Sequence, residues 1–140
     1  MRLHDVNVLI YAHRPESQGH EAYRQLIADD ISSEQSYAVS DVVINGFLRI
    51  ATDRRIYRTP TPLSLALAFA EQMRHQPTAV TVAPGPRHWS IVTRLCHEIG
   101  ATGRDFPDVF LAALAIEHGC EFVTADKGFK RFRGLKVAEV

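Results

Sequence analysis

Only two cysteines, Cys96 and Cys120, occur in the 140 residues of this chain. Both lie within or beside apolar segments and neither belongs to a C-x-x-C pair. A disulfide framework and a thiolate metal site are therefore excluded, and buried reduced thiols in a cytosolic protein are expected. Lysine is nearly as scarce: Lys127, Lys130 and Lys136 are the only ones, and arginine makes up the rest of the 16 basic residues. Arginine favours bidentate contacts with phosphate or carboxylate, although a GC-rich genome produces the same bias. Net charge is missing too. The 16 basic residues balance 16 acidic ones, so no bulk field draws in nucleic acid and any phosphate-binding surface must come from local arrangement. No stretch approaches the roughly 20 apolar residues of a membrane span. The opening MRLHDVNVLIYAHR, interrupted by Asp5 and Asn7, has too short an apolar run for a signal peptide. These absences predict a soluble, cytoplasmic protein with no membrane association. Internal repeats, low-complexity tracts and linkers are also lacking, so residues 1–140 are expected to form a single domain, long enough to bury a sizeable core.

What the chain does contain is a regular alternation of strand-like and helix-like segments. A short strand over Arg2–Asp5 is followed by a helix starting after Asn7. An amphipathic helix is expected from Ser17 to Ile31 with Ser17 as its cap, then a strand at Tyr37–Val39. Ser40 caps a helix whose buried face is read as Val42, Val43, Ile44, Phe47, Leu48, Ile50 and Ala51. Gly46 falls in the middle of that helix, where glycine costs about 1 kcal/mol against alanine, so its presence calls for a packing or functional reason. The basic loop TDRRIYRTPTP, with Arg54, Arg55 and Arg58, precedes a helix over Leu63–His75. A strand over Thr78–Ala83 is broken by Pro84-Gly85-Pro86 ahead of a helix from His88 to Ile99. The basic turn KGFKRF and a last strand through Leu135–Val140 close the chain. Such alternation predicts a three-layer α/β/α domain with a mainly parallel sheet of about five strands.

The most informative stretch is DFPDVFLAALAIEHGCEFVTAD. Pro107 suits a first helical turn, with Asp105 or Phe106 as the cap, and places Asp108 in that turn. The residues from Val109 to Ile116 are apolar nearly all round, as in a buried helix, and Gly119 ends it. Glu117, nine positions beyond Asp108, reads as a solvated end residue. CEFVT is the next strand, and Asp126 follows at its carboxyl end. Right-handed crossovers gather strand carboxyl ends on one edge, which would bring Asp5, the start of the Ser40 helix, Asp108 and Asp126 together. Taken singly, each acid has an ordinary explanation: a turn residue for Asp5, a helix-dipole complement for Asp108 and a cap for Asp126. Together they form a cluster of like charges, which must either raise its pKa values or hold a cation. With oxygen ligands only, Mg²⁺ or Mn²⁺ is the expected ion, and phosphodiester hydrolysis is one reaction it would serve. No histidine pair shows a ligand spacing. His4 alternates to the other face of its strand, as a packed or supporting group.

Three blocks, DVNVLIYA, SDVVINGFLRI and PDVFLAALAIEHGCEFVTADKGFKRF, resemble the PIN-domain ribonucleases of the VapC toxin type over nearly the whole chain. The resemblance implies a PIN-like fold and a Mg²⁺- or Mn²⁺-dependent endoribonuclease that cuts structured RNA, tRNA or rRNA, and is silenced by a cognate VapB-like antitoxin; a homodimer is expected. Carried over by position, Asp5, Asp108 and Asp126 would bind metal, and Asn7 and Thr124 would orient carboxylates and water. Arg54, Arg55 and Arg58 are candidate RNA contacts, with a solvated loop as the alternative. One departure stands out, since Gly46 occupies the place of a glutamate found in many members. Asp41, about 140° away around the helix, is not a direct replacement and reads as a first-turn complement to the Ser40 cap. Two rival readings remain: a catalytically degenerate PIN domain that binds RNA or protein, and a haloacid-dehalogenase-like phosphatase, against which Asn7 counts because that class needs an aspartate there.

Overall fold

The central strands are those with apolar residues on both faces. Tyr37–Val39 is buried throughout, as are Leu3, His4, Phe122 and Val123, the pattern of parallel strands covered by helices on both sides. In the computed structural model, which describes residues 1–140, they belong to β1 (Arg2–His4), β2 (Tyr37–Val39) and β4 (Glu121–Val123). The more exposed β3 (Ala79–Thr81) and β5 (Lys136–Ala138) form the edges. All four pairings are parallel and the order is β3-β2-β1-β4-β5, so the expected five-stranded α/β sheet is present. On the way from β1 through β2 to β3 the chain forms α1 (Val6–His13), α2 (His20–Ser32), α3 (Asp41–Ala51) and α4 (Leu63–Arg74); α1 packs on both α2 and α3, and α3 on α4. The return from β3 to β4 forms α5 (His88–Ile99) and α6 (Asp105–Glu117), packed as a pair. Right-handed crossovers running in opposite directions place these groups on opposite faces of the sheet. The direction reverses between β1 and β4, and the crevice at their carboxyl ends is the topological switch point, the usual place for a ligand in such sheets.

Several element ends differ from expectation for local reasons. Helix α1 starts at Val6, not after Asn7, because Asp5 is the cap and its carboxylate accepts from the Val6 N–H at 2.7 Å. Helix α2 starts at His20 instead of Ser17. Gly19 precedes it with φ +76°, a left-handed conformation that turns the chain before the helix can begin. In α6 the first helical residue is Asp105, whose side chain accepts from the Thr102 N–H at 3.0 Å. Pro107 is thus the third helical residue, still where an N–H has no partner within the helix. Val42 is exposed, outside the buried face that Val43, Ile44, Phe47 and Ala51 provide. Gly46 has a packing reason: a Cβ there would stand 2.8 Å from Val6 Cγ2, so α1 and α3 touch where position 46 has no side chain.

Glu117 corrects the sequence reading outright. It is buried, and its two carboxylate oxygens accept from the Gly85 and Arg87 N–H groups at 2.7 and 2.9 Å. The end of α6 thereby ties down the Pro84–Pro86 loop ahead of α5. Glutamates at helix ends are usually solvated, and only the tertiary approach of that loop reveals otherwise. His4 is also buried, and its Nε2 meets Asp30 Oδ2 at 2.7 Å, while Arg2 reaches Asp30 Oδ1 at 3.1 Å. Burial acts to raise the Asp30 pKa, but the hydrogen bonds and charges of His4 and Arg2 outweigh it, and the net shift is downward.

Two outcomes follow for stability. Glu117→Gln keeps the shape but turns one acceptor into a donor facing a backbone N–H, so unfolding free energy should drop by about 1.5–3 kcal/mol. An unchanged denaturant midpoint would contradict this. For Asp30, a depressed folded-state pKa means stabilisation fully present above the unfolded value of about 3.9 and lost as pH falls through the folded value. The difference in melting temperature between the parent and Asp30→Asn should therefore shrink on acidification, and a pH-independent difference would rule this out.

Candidate active site

Three segments deliver the acids to the switch point. Asp5 follows β1, Asp126 follows β4, and Asp108 stands in the first turn of α6. All three line one open cavity of about 330 Å³, together with Asn7; the rest of the lining is Val6, Ile10, Tyr11, Ile50, Tyr57 and Phe129. A second depression of about 430 Å³, lined by Arg2, Asp29, Asp30, Tyr37 and Glu121 among others, lies at the opposite end of β1. There Arg2 pairs with both Asp30 and Glu121, so its central charges already satisfy one another.

Asp5 is the most tightly held of the three acids. Its backbone N–H donates to the Val123 carbonyl at 2.9 Å, joining β1 to β4 at their carboxyl ends. Its Oδ1 accepts from Val6 N–H, and its Oδ2 accepts from the Thr124 hydroxyl at 2.6 Å and from Asn7 Nδ2 at 3.1 Å. Asn7 Oδ1 in turn accepts from the Ala125 N–H at 3.2 Å, and Thr124 Oγ1 from the Asp126 N–H at 3.0 Å. The two expected supports, Asn7 and Thr124, are thus joined with Asp5 and the Asp126 backbone in one network. Burial pushes the Asp5 carboxyl above its ordinary pKa; hydrogen bonds from Thr124 and Val6 oppose this, and the charges of Asp108 and Asp126 add to it. Asp126 Oδ1 accepts from the Gly128 N–H at 2.7 Å, capping the 3₁₀ turn Lys127–Arg131. The ordinary role foreseen for this residue is therefore real and coexists with its place on the cavity.

Arg131 is a site residue that the sequence reading passed over inside a basic cluster. Its guanidinium stands 3.2 Å from Asp108 Oδ2 and 3.4 Å from Asp105 Oδ1, and it is stacked over the Phe132 ring at 4.3 Å. Asp108 is thus turned to an arginine, and the acids of the cavity do not converge on a common point in this arrangement. Their chemistry nevertheless suits a hard divalent cation: the donors are oxygens from three separate elements, and their repulsion at Asp5 is what a bound cation would relieve. Asp41 lies elsewhere, paired with Arg74 of α4 at 2.9 Å, and does not line the cavity. All three loop arginines are exposed, and of them Arg55 is matched by Asp53 at 3.3 Å. The loop joins the lining of this cavity through Tyr57, a residue with no distinguishing signal in the sequence.

A model of the PIN-domain family matches residues 3–135. Ribonuclease VapC25 of Mycobacterium tuberculosis is 38% identical over 136 residues, 97% of this chain and 96% of that protein. Ribonuclease VapC33 of the same species is 32% identical over 97% of this chain and 95% of its own length. Among solved structures, VapBC2 from Rickettsia felis bound to a DNA fragment from its promoter superimposes with a TM-score of 0.67 at 15% identity, covering 97% of this chain and 96% of that one. VapBC-1 from nontypeable Haemophilus influenzae gives 0.66 at 14% identity, over 97% and 95%. These matches leave no place for the phosphatase reading: the chain belongs to the PIN-domain family, in the branch of the VapC ribonucleases.

Proposed function

We propose that this chain is the endoribonuclease toxin of a toxin–antitoxin pair, hydrolysing phosphodiester bonds of structured RNA with Mg²⁺, or Mn²⁺ in its place. The observation that carries this reading is the meeting of Asp5, Asp108 and Asp126 on one cavity at the switch point, in a chain 38% identical to Ribonuclease VapC25 over nearly its full length. Asp5, Asp108 and Asp126 would hold the ion. The chemistry such an ion would supply is polarisation of a phosphoryl oxygen and a lowered pKa for an attacking water. The chain's own residues prepare the site: Thr124 and Asn7 orient the Asp5 carboxylate, and the Gly128 N–H fixes that of Asp126. Arg131 neutralises Asp108, and the Asp108 carboxylate would have to exchange that partner to hold the ion. With no net charge to attract RNA, the exposed Arg54 and Arg58 are the proposed phosphate contacts, and Arg55 contributes less because Asp53 already pairs with it. A VapB-like antitoxin as partner, a homodimer and a cytoplasmic location complete the reading. Similarity to VapC ribonucleases supports the first, and the lack of a helix long and apolar enough to cross a membrane accords with the last.

Purified, antitoxin-free protein should cleave total RNA when Mg²⁺ is supplied and lose cleavage on chelation. Asp108→Asn should fold normally and be inactive, because the amide keeps the shape and withdraws ligand charge. If Asp108→Asn cuts RNA as fast as the parent, the metal assignment is wrong. A parent that binds RNA but never cleaves it would instead support a degenerate, binding-only PIN domain.

Gly46 gives a second test. Restoring a glutamate there improves intrinsic helix propensity, yet its Cβ meets Val6 Cγ2 at 2.8 Å, and forcing an extra side chain into such packing costs about 1–3 kcal/mol. Gly46→Glu alone should lower the melting temperature. Combining it with Val6→Ala should recover stability and, by adding a carboxylate beside the cavity, reduce the Mg²⁺ needed for half-maximal cleavage. Equal metal dependence in the parent and a stably folded double variant would show that position 46 does not reach the ion.

A further inference from the structure

The loop between α3 and α4 has no regular structure over Thr52–Pro62 beyond turns, yet it is firmly held. Its anchor is Arg14, just past the end of α1. That guanidinium donates to the Thr59 carbonyl at 2.9 Å and to Thr61 Oγ1 at 3.1 Å, and its Nε meets Glu16 at 2.5 Å. His13 Nε2 also reaches Thr61 Oγ1, at 3.2 Å. With its hydrogen bonds directed into the loop, the Arg14 guanidinium lies over the Tyr57 ring, 3.7 Å from the centroid. Arg14 is itself largely covered, its side chain 11% exposed. Tyr57, partly exposed, is thereby held among the residues that line the cavity of Asp5, Asp108 and Asp126.

The Arg14 guanidinium accounts for an aromatic ring on one face, and the place of Tyr57 on the wall of an acidic cavity gives that ring a second use. Its chemistry matches what a ribonuclease needs beside its acids. Nucleotides flanking a scissile phosphate in a loop or single strand expose unstacked bases, and aromatic rings hold these by stacking with little regard to sequence. A ring already immobilised by a cation on one face loses little freedom when a base joins it. We infer that Tyr57, backed by Arg14, is a base-stacking platform that holds an unpaired nucleobase next to the phosphate to be cut. It is a positioning residue, and this inference rests on the ribonuclease reading above.

The test uses the full chain carrying Asp108→Asn, so that bound RNA is not consumed, with a short oligouridylate and its abasic ribose-phosphate counterpart as probes. Tyr57→Ala and Tyr57→Leu should each weaken binding of the oligouridylate by roughly 10-fold, leave the abasic probe unaffected, and keep the parent's dependence on salt. Tyr57→Trp should bind the oligouridylate at least as well as the parent. Arg54→Ala with Arg58→Ala should behave oppositely, weakening both probes and flattening the salt slope by up to about 0.7 per phosphate contact. Tyr57→Leu preserves apolar bulk, so it separates stacking from loop packing even if Tyr57→Ala disturbs the fold. A Leu variant equal to the parent on the oligouridylate, or one that loses both probes alike, overturns the stacking role. A parent that neither binds nor cuts RNA overturns the ribonuclease reading itself. One that cuts RNA while Tyr57→Leu binds normally overturns only the inference about Tyr57.

Discussion

The hydrogen-bond network on the Asp5 carboxylate is the constraint on which the site depends. One short carboxylate caps α1 through Val6, receives the Thr124 hydroxyl from the end of β4, and is linked through Asn7 to Ala125. It therefore joins the ends of two strands distant in sequence and fixes the crevice between them. The same group is buried and faces two further acids, so its charged form is disfavoured. A carboxylate engaged in three hydrogen bonds and still pushed upward in pKa, chiefly by burial with the charges of Asp108 and Asp126 adding to it, is the kind of perturbed group that collects at functional sites.

Positive charge in and around this site is allotted with care. Arg131 holds Asp108 and Asp105 from the 3₁₀ turn that Asp126 caps, so two of the acids are coupled through one short segment. Arg14 is committed to the α3–α4 loop and to the Tyr57 ring. Arg54 and Arg58 remain at the surface. A chain with no net charge can thus have strong local fields, because its arginines are placed singly where a planar, multidentate cation fits. Val6 and Gly46 show the same economy of space. The valine next to Asp5 fills the room that a side chain at position 46 would require, so the missing glutamate and the packing of α1 on α3 are one feature.

Much was legible in the sequence because it depends on local chemistry. Alternating patterns announced the α/β sheet, the apolar run from Val109 to Ile116 marked a buried helix, and the intervals between Asp5, Asp108 and Asp126 pointed to one edge. Ser40 as a cap was readable from its side chain, and its hydroxyl accepts from the Val42 N–H at 3.2 Å. These features follow from periodicity, capping and the handedness of crossovers, which act over one or two elements and leave their mark in spacing.

Tertiary structure alone decided the rest, since the deciding partners are distant in the chain. Glu117 resembles any solvated helix end until Gly85 and Arg87 supply two backbone donors. Asp108 shows no sign in sequence of a preference for Arg131, nor Tyr57 of its place beside the acids. Gly46 looks like a weak point in a helix until Val6 is seen against it. Sequence determined which elements form and which edge collects the carboxylates, because backbone propensity and strand direction are inherited locally. The ion-pair partners, the covered charges and the wall of the cavity were determined only when the chain closed on itself, because electrostatics and packing depend on distance in space.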